Sequence, residues 1–264
     1  MAVKLVALDI DGTIVAPGTE LPSPRITAAV RALNESGIAV VLASGRMFPG
    51  TVRIANHLGL GTPVVCQQGC SVHALDGSML HEFPIERRLA MEIVEYARTG
   101  GHTYEWFNPL RYIASRETEE TTLYGRVSGI EPEYMERPEL AGVTPTGVGV
   151  LSGAAEGGPV HHDLVARHGH ELHVLDFPGV TVAVAPDANK GHALSLLCGD
   201  FGIAREDVAA IGDSVNDAPM LAWAGRGYAL AHSDRYAIDA ADEILPDGEE
   251  PVARLLESFA RWGS

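Results

Sequence analysis

The strongest constraint in this chain is a set of short apolar runs that end in chemistry-bearing residues. Val3 to Leu8 is followed at once by Asp9-Ile10-Asp11-Gly12-Thr13, and similar runs recur at Ile38–Ala43, Pro63–Cys66, Val208–Ile211 and Gly227–Leu230. Runs of β-type residues without polar alternation need burial on both faces, as in parallel sheets covered by helices. Helix signals fill the spaces between them. Ser23 is placed as an N-cap, Pro24 in the first turn, Ile26, Val30 and Leu33 on one face, and Gly37 as the stop. Phe48 to Leu58, closed by Gly59, reads as a second helix. The pattern predicts an α/β chain built on a Rossmann-like, doubly wound parallel sheet.

The rhythm changes between about Ile85 and Ala185. A helix over Glu86–Arg98 leads to short strands at His102–Phe107 and Arg111–Ala114, then to polar, Gly- and Pro-rich sequence as far as Gly158. A further helix to Arg167 leads to strands at Glu171–Leu175 and Thr181–Ala185, joined through Pro178-Gly179. Helix followed by hairpin at both ends predicts an inserted α+β cap domain of two similar halves. The expected organisation is therefore core residues 1–84, cap residues 85–185 and core residues 186–264, with joints near Pro84 and Pro186 as hinges.

Charge and cysteine content narrow the partners. The 264 residues carry a formal charge of −16, which opposes binding to nucleic acid or an anionic membrane. A small anionic substrate needs only a local cation. No basic n-region with a cleavable apolar segment precedes Asp9, and no apolar stretch reaches the ~18 residues that span a bilayer. Cys66, Cys70 and Cys198 are too few for a disulfide framework, so a cytoplasmic location is expected.

Ligands on such sheets sit beyond the carboxyl ends of the strands, where four motifs fall. Asp9 and Asp11, separated by one residue and followed by Gly12, suit a nucleophile and a proton donor, although a bare D-x-D reads equally well as an acidic turn. Ser44-Gly45-Arg46 offers a hydroxyl and a backbone N–H to an anion, or a plain N-cap. Lys190, at a helix start, opposes the helix dipole and makes better sense as a phosphate-neutralising ammonium. Asp213, Asn216 and Asp217 crowd one strand exit, offering hard oxygen ligands for Mg²⁺ or an Asx-rich turn.

Taken together, DIDGT, the Ser44 of LASGR, the Lys190 of NKG and GDSVNDAPML resemble the four motifs of the haloacid dehalogenase (HAD) superfamily of phosphohydrolases. The insert between the serine and lysine motifs is similar to the Cof-type, C2-capped (subclass IIB) sugar-phosphatase branch, and the resemblance covers essentially the whole chain. It implies a Mg²⁺-dependent phosphatase acting on a small, sugar-like phosphorylated metabolite. Asp9 is then the nucleophile and Asp11 the acid and base. Asp9, the backbone carbonyl of Asp11 and Asp213 hold the metal. Ser44, Lys190, Asn216 and the N–H groups of Gly45, Ile10 and Asp11 hold the phosphoryl oxygens, with Asp217 and Arg46 in support. One departure is Gln67-Gln68-Gly69, where the branch usually shows Asn-Gly. A phosphosugar mutase on the same chassis, a phospho-accepting signalling domain and a catalytically dead binding module are the competing classes. Oligomeric state is not encoded in any of these signals.

Three further features stand outside the motifs. The histidines at 161, 162, 168, 170 and 173 straddle helix, turn and strand without a zinc-like pattern and read as solvated cap residues. Cys66 and Cys70, in C-x-x-x-C, read as packing. Alternating Tyr104 and Trp106, with His102 and Glu105, offer a wall for a sugar ring in the cap, or the packing face of a cap sheet.

Overall fold

The computed structural model describes residues 3–153 and 157–262. It divides into two compact units, Met1–His81 with Asn189–Ser264, and Glu82–Ala188.

The first unit contains β1 (Leu5–Leu8), α1 (Pro24–Glu35), β2 (Ala39–Leu42), α2 (Phe48–Leu58), β3 (Val64–Cys66), β4 (Ser71–His73) and β5 (Met79–Glu82). The second contains α3 (Arg87–Thr99), β6 (Thr103–Phe107), β7 (Tyr112–Ala114), α4 (Glu119–Ser128), β8 (Glu133–Tyr134), β9 (Gly147–Leu151), α5 (Gly157–His168), β10 (His173–Phe177) and β11 (Val180–Val184). The chain then returns to the first unit with α6 (Lys190–Phe201), β12 (Val208–Ile211), α7 (Ala218–Trp223), β13 (Arg226–Leu230), α8 (Arg235–Ala240), β14 (Glu243–Leu245) and α9 (Glu249–Trp262).

The core sheet is parallel, in the order β14-β13-β12-β1-β2. β1 lies between β12 and β2, with Leu5 opposite both Val208 and Ala39. Alternate residues divide between two apolar layers. Val6, Leu8, Val40, Leu42 and Ile211 pack with α1, α2 and α9, whereas Leu5, Ala7, Val41 and Ala210 pack with α6, α7 and α8. Burial on both faces explains the absence of polar alternation in these strands. The capping residues set the helix entries. Ser23 Oγ accepts from the Ile26 N–H at 3.2 Å, and Asn189 Oδ1 from the His192 N–H at 2.8 Å.

One strand departs from the single parallel sheet expected from sequence. β3 pairs antiparallel with β4 in a three-stranded sheet, and only one parallel bridge, Ala43 with Val65, links it towards β2. The Ser71–Phe83 segment supplies β4 and β5 around the Asp76-Gly77 turn and captures β3.

The second unit is a six-stranded sheet, β10-β11-β9-β6-β7-β8, with α3 and α5 on one face. β9, all five residues buried, is a central strand in a region expected to be irregular. Its sequence alternates Gly147 and Gly149 with Val148 and Val150, and the valines join the cap core. On the other face an added Cβ at Gly149 would lie 2.3 Å from Glu105 Oε2, so that Glu105 fits only over a glycine. Burial pushes the Glu105 carboxyl up to about 7, against the pull of the Tyr112 hydroxyl that donates to it.

The same register corrects the reading of the cap aromatics as a substrate wall. Tyr104 and Trp106 are 2% and 0% exposed and belong to the cap core with Ile93, Val148 and Leu164. Trp106 Nε1 donates to the Val143 carbonyl at 3.2 Å, and the Tyr104 hydroxyl to Glu139 Oε2 at 2.8 Å. His102 stacks on Tyr96 at 6.4 Å between ring centres, in a surface groove with Glu92, Glu95 and Arg167. Four of the five cap histidines lie beside separate carboxylates, His161 by Asp176, His162 by Asp163, His168 by Glu92 and His170 by Glu171. Cys66, Cys70 and Cys198 are buried and unbridged. No described helix is long and apolar enough to cross a membrane.

Trp106→Ala is therefore expected to lower the unfolding free energy by about 3–5 kcal/mol, and His102→Ala by less than about 0.5 kcal/mol. Urea titrations of both variants check this; equal small losses would place Trp106 outside the core.

Candidate active site

The motif residues of the first unit lie at the ends of β1, β2 and β12 and at the start of α6. Asp9 is fixed where β1 leaves the sheet by its N–H bond to the Ile211 carbonyl, 3.0 Å. The Ile10 carbonyl then accepts from the N–H groups of Ile14 and Val15 at 3.0 and 2.8 Å, which folds the loop back on itself. Gly12 makes that turn possible. Its φ is 88°, and an added Cβ would lie 2.4 Å from Asp213 Oδ2. After β12, Asp217 Oδ2 accepts from the N–H groups of Asp213 and Ser214, both at 3.0 Å, and shapes the second acidic loop.

Lys190 joins these loops. Its Nζ, fully buried, donates to Asp9 Oδ1 and to Asp217 Oδ1, each at 2.6 Å. Asp9, Asp213 and Asp217 offer oxygens within 4.8 Å of one another. Burial opposes charge on the lysine, but Asp217 and Asp9 outweigh it and its pKa is raised. The acids are shifted too. Burial, followed by the Asp217 charge, pushes Asp9 well above the usual carboxylate range despite the pull of Lys190. Asp213 is pushed up to about 6, again by burial and then Asp217, with the Thr13 hydroxyl, Lys190 and His232 acting in the opposite sense. Thr13 Oγ1 donates to Asp213 Oδ1 at 2.9 Å. Three neighbouring carboxylates, two of them bonded to one ammonium, suit a divalent cation. Both Asp217 oxygens already accept hydrogen bonds, so Asp9 and Asp213 are the better-placed side-chain ligands.

Asp11 and Arg46 form a separate pair. The Arg46 fork donates to Asp11 Oδ2 at 2.8 Å and Oδ1 at 2.6 Å, a bidentate contact. Arg46 is 5% exposed whereas the Asp11 side chain is 51% exposed. Asp11, expected as the acid and base, and Arg46, expected in support of the phosphoryl site, thus face each other. The turn at Gly12 leaves Asp11 facing the Ser44-Gly45-Arg46 loop, and the guanidinium takes the nearest carboxylate. Ser44 is fully buried, its Oγ accepting from the Arg46 N–H at 3.1 Å.

Two residues near the site carry no role in the sequence reading. The Gln68 carboxamide contacts Asn216 and lies against Gly45. His232, just beyond β13, lies 3.9 Å from Asp213 and 2.8 Å from Asp247. Its sequence signal is its place just after a buried strand, the kind of position that Asp9 and Asp213 also hold.

Residues 6–256 match the family model described as haloacid dehalogenase-like hydrolase. The chain belongs to that family. Among its relatives, the phosphatase YwpJ of Bacillus subtilis is 26% identical, over 96% of this chain and 99% of its own. The phosphoglycolate phosphatase of Halorubrum lacusprofundi is 31% identical, over 91% of this chain and 90% of its own. A haloacid dehalogenase-like hydrolase from Bacteroides thetaiotaomicron superposes with a TM-score of 0.81 at 26% identity, covering 97% of this chain and 99% of that one. The HAD subclass IIB sugar phosphatase BT4131 shares the fold, with a TM-score of 0.83 at 16% identity and coverage of 97% and 99%.

The acid shifts carry a sign. A carboxyl whose folded pKa lies above its unfolded value binds protons more tightly when folded, so stability falls as pH rises from about 4 through about 6. Without metal, Asp213→Asn is expected to melt higher than wild type at about pH 7.5, by about 2–4 °C for each kcal/mol relieved, with the gap closing near pH 4.5. Thermal scans in chelator test this; an equal gap at both pH values would contradict the assignment.

Proposed function

We propose that the chain hydrolyses small phosphomonoesters of the sugar-phosphate kind through an aspartyl-phosphate on Asp9, as a Cof-type, C2-capped phosphatase. Membership of the hydrolase family, with full-length relatives named as phosphatases, supports the reaction class. The observation that carries the site is the buried Lys190 bound to Asp9 and Asp217 beside Asp213.

A phosphomonoester dianion repels an approaching carboxylate, so cationic charge must be in place before attack. Lys190 supplies one such charge at Asp9 itself. Asp9 and Asp213, with the Asp11 backbone carbonyl, would hold Mg²⁺, which supplies further neutralisation of the phosphoryl oxygens. In the first half-reaction an Asp9 oxygen forms a bond to phosphorus as the P–O bond to the leaving group breaks. Asp11, having taken up a proton and left Arg46, gives that proton to the departing oxygen. In the second half Asp11 accepts a proton from water, whose oxygen attacks phosphorus, releasing phosphate and restoring Asp9. The Ser44 hydroxyl, the N–H groups of Gly45, Ile10 and Asp11, Lys190 and Asn216 hold the phosphoryl oxygens throughout. Asp217, through its bonds to Lys190 and the loop at 213–214, positions them. The sugar-like substrate class rests on the motif resemblance to the Cof-type branch.

Asp9→Asn is expected to reduce turnover by about 10⁴-fold with the fold intact, and to form no acid-stable phosphoenzyme on rapid quenching. Activity within about tenfold of wild type would overturn the covalent mechanism. Chelation is expected to abolish phosphate release, Mg²⁺ to restore it, and Ca²⁺ to fail, because its looser coordination lets the nucleophile bind metal through both oxygens. A panel of sugar phosphates and 2-phosphoglycolate, read by phosphate release, decides the substrate class.

A further inference from the structure

Among the described residues, only Gln67 and Gln68 hold positive φ without being glycine, at 49° and 66°. Such a conformation costs on the order of 1 kcal/mol or more for each side chain and persists only where the surroundings enforce it. Here they do. The Gln67 N–H donates to the Arg46 carbonyl at 2.9 Å and the Gln68 N–H to the Ser44 carbonyl at 3.1 Å, tying the bend to the Ser44-Gly45-Arg46 loop. The bend turns the Gln68 carboxamide across that loop. An added Cβ at Gly45 would lie 2.8 Å from Gln68 Oε1 and 2.9 Å from Nε2. The same Oε1 accepts from Asn216 Nδ2.

Asn216 is thereby held from two sides, because its Oδ1 accepts from Ser214 Oγ at 2.6 Å. An amide rotated by half a turn would set oxygen against oxygen at Gln68. With Ser214 Oγ donating to Oδ1 and Gln68 Oε1 accepting from Nδ2, Nδ2 keeps a second hydrogen that the Gln68 bond does not use.

We propose that Gln68 is a positioning residue, one that from its place against Gly45 aims the Asn216 N–H at the phosphoryl group. The proposal rests on the reading of Asn216 as a phosphoryl-holding residue. It also gives a reason for the strained backbone: at Gln68 the left-handed turn sends the side chain to Asn216, at a position where the related branch usually has Asn-Gly.

Wild type, Gln68→Met, Asn216→Ala and the double variant are compared as Mg²⁺ holoenzymes on p-nitrophenyl phosphate. Methionine keeps the length of the side chain and removes the acceptor oxygen. Gln68→Met is expected to lower kcat/KM about tenfold, mainly through KM, and to weaken inhibition by inorganic phosphate by a similar factor. The double variant is expected to be no worse than Asn216→Ala alone, since Gln68 acts through that residue. Gln68→Gly suits the left-handed backbone, so it is expected to melt no lower than wild type while losing as much activity as the methionine variant. Multiplicative losses in the double variant, or wild-type kinetics in Gln68→Met or Gln68→Gly, would overturn the proposal and leave the role of Asn216 standing. A silent Asn216→Ala would remove the phosphoryl role of Asn216, and the proposal with it.

Discussion

The ammonium of Lys190 governs the arrangement of the site. A lysine with no exposed surface is tolerated only where carboxylates replace its lost hydration, and its two partners arrive from different parts of the chain. Asp9 comes from the exit of β1 and Asp217 from the loop after β12. These strands are neighbours in the sheet, so the pairing of Leu8 with Ile211 sets the two acids on either side of one cation. One positive charge does not satisfy Asp9, Asp213 and Asp217 together. Burial first, and the Asp217 charge second, raises both Asp9 and Asp213 despite the lysine.

Much of this was legible in the sequence because burial on both faces leaves an unmistakable pattern. Leu5–Leu8 and Val208–Ile211 can only be interior strands, and the residues that follow them must lie at the sheet edge where ligands bind. The cap was less legible for equally physical reasons. Two of the five residues of β9 are glycines, where Glu105 and Phe107 lie over it, and glycine weakens any strand signal. α4 carries Thr121, Thr122 and Gly125, poor helix formers. It is held by a capping box in which Thr118 and Thr121 exchange bonds, a form without the usual glutamate. Alternation at Tyr104 and Trp106 identified a face of the sheet without saying which face was the core; the helices α3 and α5 decide that.

Partner choice was the part sequence could not supply. Arg46 and Lys190 are both cations placed by motif, yet one closes on Asp11 as a bidentate fork at the rim and the other is buried between two acids. The planar guanidinium matches both oxygens of one carboxylate, whereas the ammonium is a point charge able to serve two. Gln68 shows the same limit. Its departure from Asn-Gly was visible, but its reach to Asn216 depends on a left-handed bend that no local preference of glutamine encodes.

The pairing of Leu5 with Val208 has a consequence for synthesis of the chain. Every strand pairing within Glu82–Ala188 is internal to that segment, so its partners leave the ribosome close together. β1 must wait for some two hundred residues before β12 emerges to cover its second edge. Throughout that interval the nascent protein displays an apolar strand, Leu-Val-Ala-Leu, with one row of backbone hydrogen-bonding groups unmatched. The strand that leads into Asp9 is thus completed by a pairing some two hundred residues distant in sequence, the kind of non-local contact that slows folding.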